Sequence, residues 1–417
     1  MKRALAAAAA LSFCLSTTAH AQDAETPTET TSPAGPTVGY YDEGGNWVPP
    51  SRGRAPDTDN CPQATWPPEP VTTSERAAAS PAPLPVLFDG PCGVTAADGY
   101  TTPDGVVASA WLVADLDSGD VVAMKDPHGR YRPASIIKVL LALTVINELP
   151  LDQKVEVSAE SAGQEGSAAG IGEGGDYTVE DLLTGLLLSS GNDCAHALAQ
   201  ALGGDELALG KVNALAKKLG MSDTRATSYS GLDGAGMSTS AWDMGLAYTA
   251  AFADPTFTRI VDTEHTTFPG FDDLPPFELW NDNQLYLNDP DGIGGKTGYT
   301  DDANHTFVGA VNHEGRRLVA VVLDTSAYDH RPWEQAQMLL HEAYGVRSSV
   351  AKLEPLSEKT PETTMAAPTP EPAPEQAGKE TTWNHWWSYL IVAAVLALAA
   401  LATAFSLGTA EKPRRRR

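Results

Sequence analysis

Apolar residues along this chain change period twice. Val106–Leu116 is mostly apolar and small, Asp117-Ser118-Gly119-Asp120 interrupts it as a turn, and Val121–Met124 resumes it. That pattern predicts two strands of a hairpin. Thr306–Val311 and Leu318–Leu323, joined by Asn312–Arg316, predict a second. Between these β-like ends the pattern turns helical. Ser135–Asn147, Val179–Leu188, Asp193–Leu202 and Glu206–Leu219 read as helices. Thr178 and Asp181 are spaced as a capping box for the second, and Gly220 ends the fourth. A last helix, Trp333–Tyr344, opens after Pro332. Strands at both ends around a helical middle predict an α+β fold. One antiparallel sheet, built from both ends of the domain, is flanked by helices and joined by a helical cluster.

Two further apolar runs lie outside this unit. Residues 1–21 read as a secretory signal: Lys2 and Arg3, then Ala4–Leu15, then the small-x-small site Ala19-His20-Ala21. A membrane span is the alternative, but the run is short for one. Near the other end, Leu390–Leu407 carries no charge. Trp383, Trp386, Trp387 and Tyr389 precede it, and Lys412 and Arg414–Arg417 follow. This predicts a separate single transmembrane helix at 386–409 and a basic cytoplasmic tail at 410–417, with everything earlier outside the membrane. Residues 22–85 form a Pro/Thr-rich arm and 351–385 a Pro/Glu/Thr-rich linker, leaving 86–350 as the globular unit.

Composition narrows the choice of function. The 417 residues carry 54 acidic and 28 basic side chains, a formal net charge of −26. Such a body repels phosphate backbones, so nucleic acid is excluded as a partner. Four cysteines show no zinc-type spacing, and the nine histidines show no HExxH pairing, so no metal and no cofactor is implied. In an oxidising compartment Cys61 and Cys92 are the expected disulfide, with two free thiols as the alternative.

Lys138 is the only charge in PASIIKVLLALTVI, and almost every face of that helix is apolar. Burial there strips the amine of hydration and lowers its pKa. Ser135, three residues earlier, shares its face at a helix N-terminus, the setting of an activated nucleophile. Ser190-Gly191-Asn192 breaks a helical pattern with a hydroxyl and a carboxamide. Lys296-Thr297-Gly298-Tyr299 closes a glycine-rich strand. Each motif alone has a plain structural reading: a snorkelling lysine, a helix break, a glycine turn. Together SxxK, SxN and KTG occur in that order at offsets of 55 and 106 residues, the set found in penicillin-binding proteins and class A β-lactamases.

Over about 105–345, through RPASIIKVLLAL, GGDYTVEDLLTGLLLSSGNDCAHALA, KKLGMSDT, NDNQLY and GIGGKTGYTDDANHTFVGAV, the chain resembles the serine D-alanyl-D-alanine carboxypeptidases, low-molecular-mass penicillin-binding proteins. The resemblance implies a β-lactamase/DD-peptidase-like fold on a bacterial cell membrane. It also implies removal of the terminal D-alanine from peptidoglycan stem peptides through an acyl-enzyme, with β-lactams as inhibitors. Ser135 is then the nucleophile, Lys138 its base and Ser190 a proton relay. Asn192, Lys296, Thr297, Gly298 and Tyr299 bind substrate. Arg331 is a weaker candidate for holding the substrate carboxylate. A DD-endopeptidase or transpeptidase shares all three motifs, and a wall-binding protein with a silent site is a further alternative. A class A β-lactamase needs a deacylating glutamate past the second motif, and 215–245 contains no Glu.

Overall fold

A computed structural model of the chain describes residues 39–41, 47–48, 51–71 and 81–356. The expected signal (1–21), membrane helix (386–409), tail (410–417) and nearly all of the linker lie outside the described residues. Among the described residues no helix is long and apolar enough to cross a membrane. All of them belong to the first of two units, Met1–Lys359 and Thr360–Arg417.

The centre is a seven-stranded antiparallel sheet. In chain order its strands are β1 (Val94–Ala96), β2 (Ala110–Asp115), β3 (Asp120–Lys125), β4 (Gly292–Thr300), β5 (Asn304–His313), β6 (Arg316–Thr325) and β7 (Ala351–Lys352). In space they run β4-β5-β6-β2-β3-β7, with β1 also pairing β3. The two predicted hairpins thus meet as neighbours, β6 beside β2, and β4 forms one edge.

Alternation along the strands feeds two cores. Leu112, Ala114, Val319, Val321 and Leu323 face the large core under the helical cluster. Trp111, Val113, Leu318, Ala320 and Val322 face a smaller core under the last helix. Strands buried on both faces read as nearly continuous apolar runs, which is why they stood out in the sequence.

The helical cluster contains α1 (Lys138–Glu148), α2 (Val179–Leu188), α3 (Asn192–Ala201), α4 (Asp205–Lys218), α5 (Ala241–Phe252) and α6 (Pro255–Val261); α7 (Pro332–Ala343) lies on the opposite face. Thr178 and Asp181 form the expected capping box. The helix expected from Ser135 begins instead with a 3₁₀ turn, Ala134–Ile137, and becomes α-helical at Lys138. The sequence pattern missed α5, α6 and two small hairpins, 154–156/176–178 and 265–268/277–280.

The described part of the arm is tied to the body. Cys61 and Cys92 are disulfide-bonded. Arg130, 1% exposed, donates to the carbonyls of Thr65 (2.9 Å), Leu84 (2.8 Å) and Pro85 (2.7 Å). Arg132 donates to Pro68 O at 2.6 Å. Buried guanidinium groups need acceptors, and the arm supplies carbonyls that its composition did not advertise.

Candidate active site

Ser135 sits half-buried on the 3₁₀ turn between the sheet edge and the helical cluster. Three contacts hold that turn. Thr306 Oγ1 donates to Pro133 O (2.8 Å) and Tyr248 Oη to Ile136 O (2.9 Å). Ala134 adopts φ +47°, a left-handed conformation costly for a residue with a side chain. Its carbonyl is pressed by Gly231, where a Cβ would lie 2.0 Å from it. That close approach brings the carbonyl of Ser230 onto the lysine below.

Lys138 is fully buried. Its Nζ lies 2.8 Å from Ser135 Oγ, 2.7 Å from Asn192 Oδ1 and 2.6 Å from Ser230 O. Burial, and then the positive charge of Lys296, hold its pKa well below the ordinary 10.5. A neutral amine has two N–H groups and one lone pair. Asn192 Oδ1 and Ser230 O can only accept, so they take both N–H groups, and the lone pair is left for the Ser135 hydroxyl.

Asn192 opens α3 and is oriented from both sides. Its Oδ1 faces Lys138, and its Nδ2 donates to Glu165 O at 2.6 Å. Ser190, in the turn before it, is 5% exposed with φ +62°. Its hydroxyl makes no hydrogen bond to a described residue. Asp193, which sequence reasoning passed over, locks this corner. Its two oxygens accept from the backbone N–H groups of Ala169, Gly170, Ile171 and Cys194 at 2.8–3.2 Å.

The third motif lies on the edge strand β4. A Cβ at Gly298 would sit 3.1 Å from Ser135 N and 2.3 Å from Thr306 Oγ1, so only glycine lets the strand pass this close to Ser135. Lys296 is buried and its Nζ donates to Thr297 O (3.1 Å) and Thr297 Oγ1 (3.2 Å). Burial lowers its pKa, and the carboxylate of Asp282, 4.0 Å away, works against that shift. Thr297 Oγ1 donates to Asp282 Oδ2 at 2.9 Å. Tyr299 is 40% exposed. Arg331 is exposed at the start of α7, where its charge adds to burial in pushing His305 down to about 4.

A family model described as D-alanyl-D-alanine carboxypeptidase matches residues 98–327. The chain belongs to that family. Among its relatives, the D-alanyl-D-alanine carboxypeptidase DacB2 of Mycobacterium tuberculosis is 43% identical over 241 residues, 57% of this chain and 82% of the relative. DacF of Bacillus subtilis is 28% identical over 260 residues, 59% of this chain and 67% of the relative. The fold matches a crystal structure of D-alanyl-D-alanine carboxypeptidase from M. tuberculosis H37Rv with a TM-score of 0.57 and 38% identity, covering 62% of this chain and 97% of that one. It also matches a Streptomyces K15 DD-transpeptidase with a TM-score of 0.54 and 25% identity, covering 57% of this chain and 98% of that one. The chain is accordingly a serine hydrolase of the D-Ala-D-Ala carboxypeptidase type, with a DD-peptidase fold.

Within this DD-peptidase, Ser135, Lys138 and Asn192 are in direct contact, and Gly298 abuts the Ser135 backbone. Lys296 and Thr297 reach the same cleft through Asp282, whose N–H donates to Leu188 O (2.8 Å) two residues before Ser190. Sequence reasoning missed Asp282, Asp193 and the Ser230 carbonyl. Asp193 adjoins a motif, and Asp282 lies in the NDNQLY stretch. A backbone carbonyl leaves no sequence signal. Among the described residues no group of three or more His, Cys, Asp or Glu side chains is placed to hold a metal ion.

Proposed function

We propose that this chain cleaves the bond between the two terminal D-alanines of peptidoglycan stem peptides with Ser135 as nucleophile and Lys138 as base. The observation that carries the assignment is the saturation of Lys138 by two obligate acceptors, which leaves its lone pair to Ser135. The substrate lies along the free edge of β4, adding an antiparallel strand. Lys138 takes the hydroxyl proton as Ser135 Oγ bonds to the penultimate carbonyl carbon. The N–H groups of Ser135 and Tyr299 receive the oxyanion. The C–N bond then breaks, and Ser190 passes a proton to the departing D-alanine amine. Lys296 and Thr297 hold the terminal carboxylate, and Asn192 holds the substrate's peptide amide. Water releases the acyl-enzyme. β-Lactams, which carry a strained amide beside a carboxylate, acylate Ser135 in the same way.

A solved neighbour is a DD-transpeptidase, so the acyl acceptor is the step to measure. D-Alanine release from a stem pentapeptide should exceed cleavage of a crosslinked dimer and transfer to an amine acceptor. Penicillin should leave one adduct, on the peptide containing Ser135, absent in Ser135→Ala; an adduct elsewhere defeats the assignment. The enzyme works outside the membrane, held by 386–409 with 410–417 in the cytoplasm. The uncharged run Leu390–Leu407 and the basic residues after it support this reading. Protease treatment of intact cells should remove the catalytic unit and leave the tail.

A further inference from the structure

Asp282 is placed with little freedom. Its neighbours Asn281 and Asn283 are both buried. Asn281 Nδ2 donates to Val261 O (3.1 Å) and Thr263 O (2.9 Å), while Asn283 Oδ1 caps the short helix Gln284–Asn288. The carboxylate between them accepts from the Thr297 hydroxyl and stands 4.0 Å from Lys296 Nζ. Its other oxygen is buried with no hydrogen-bond partner among the described residues. Asp193, a structural carboxylate, has both oxygens occupied by backbone donors. Asp282 is built differently: its carboxylate accepts one hydrogen bond from the described residues, and the donor belongs to the substrate-binding motif.

The seat assigned to the substrate's terminal carboxylate therefore already holds one. Thr297 has a single O–H, and it is given to Asp282. Among described side chains, Asp282 is the carboxylate within ion-pair distance of Lys296. A substrate ending in a carboxylate must displace that hydroxyl and share one ammonium between two anions, and like charges brought together oppose binding. A terminus that is neutral and carries N–H groups meets no such repulsion, and Asp282 can accept from it.

The geometry points to Asp282 as a specificity-determining residue that weakens the preference for a free terminal carboxylate and admits leaving groups with an amidated, hydrogen-donating terminus. This rests on Lys296 and Thr297 forming the carboxylate subsite. Asp282 is about one-third exposed, and asparagine has nearly its size and shape, so Asp282→Asn removes the charge with little change in packing.

The test uses the full chain, with Asp282→Asn and Asp282→Ser beside the wild type. The substrates are a peptide ending in D-Ala-D-Ala as the free acid and the same peptide as its C-terminal amide. Both variants should lower KM for the free acid by about threefold to tenfold, with kcat changing less, and should raise the acid-to-amide ratio of kcat/KM about tenfold. The acylation rate constant with penicillin, which also carries a carboxylate, should rise by a similar factor. An unchanged or higher KM for the acid, with the acid-to-amide ratio unmoved, overturns the role. That is the pattern a merely structural Asp282 would give. A wild type that neither releases D-alanine nor takes up penicillin on Ser135 would overturn the active-site assignment itself, whatever the variants do.

Discussion

Two lysines, both sealed from solvent, flank this cleft and are prepared for opposite tasks. Lys138 begins an apolar helix, touches neutral oxygens only and feels a second cation nearby. Lys296 sits on an edge strand and keeps a carboxylate within 4.0 Å. Burial lowers both pKa values, but Lys138 is driven far down while Lys296 is partly restored by Asp282. On the proposed mechanism the same side chain serves as a proton acceptor in one place and an anion binder in the other. Sequence context decides which: charge-free neighbours for the first, an acidic lead-in for the second.

Removing Lys138 should have the largest consequence. Lys138→Met removes the proposed base, and acylation by penicillin should fall by about a thousandfold, the scale of general-base catalysis. If acylation fell less than tenfold, another group would be taking the proton. Lys296→Met removes the charge-assisted contact proposed for the substrate carboxylate. KM should rise by about ten- to a hundredfold, with a smaller change in kcat. A collapse of kcat with KM unmoved would assign Lys296 to proton transfer instead and erase the contrast.

A stability measurement sharpens the same contrast. The folded-state pKa of Lys138 lies below its unfolded value, so between the two the unfolded chain holds an extra proton. The wild type should therefore lose stability relative to Lys138→Met as the pH falls from about 10.5 toward the lowered value, and level off below it. Denaturant midpoints of the two proteins across that range should diverge; parallel curves would mean that Lys138 titrates normally. The arm offers a control that leaves both lysines in place. Replacing Cys61 and Cys92 with serine should cost roughly 4 kcal/mol of stability, from the entropy of the 31-residue separation they span. Acylation by the folded variant should change less than threefold, since neither cysteine touches the cleft.

Much of this was legible in the chain. Strands β2, β3, β5 and β6 declared themselves because both faces are buried, and α2 because its capping box sits in the local sequence. The three motifs lie 55 and 106 residues apart, and folding brings them into one cleft. What escaped was set by tertiary contact. The 3₁₀ turn at Ser135 forms because Gly231, Thr306 and Tyr248 press on it from distant segments. The arm is held because buried Arg130 and Arg132 need its carbonyls. Asp282 looked like one acid among 54, and only its position beside Thr297 gives it meaning.

The central claim is that Lys138 is neutral where it meets Ser135. The most direct test is the pH dependence of penicillin acylation in the wild type and in Lys138→Arg, which keeps the charge but cannot surrender its proton. The rate should rise along a single acidic limb centred well below 10.5, and Lys138→Arg should be close to inert at every pH. A limb centred near 10.5, or an arginine variant that still acylates, would contradict it.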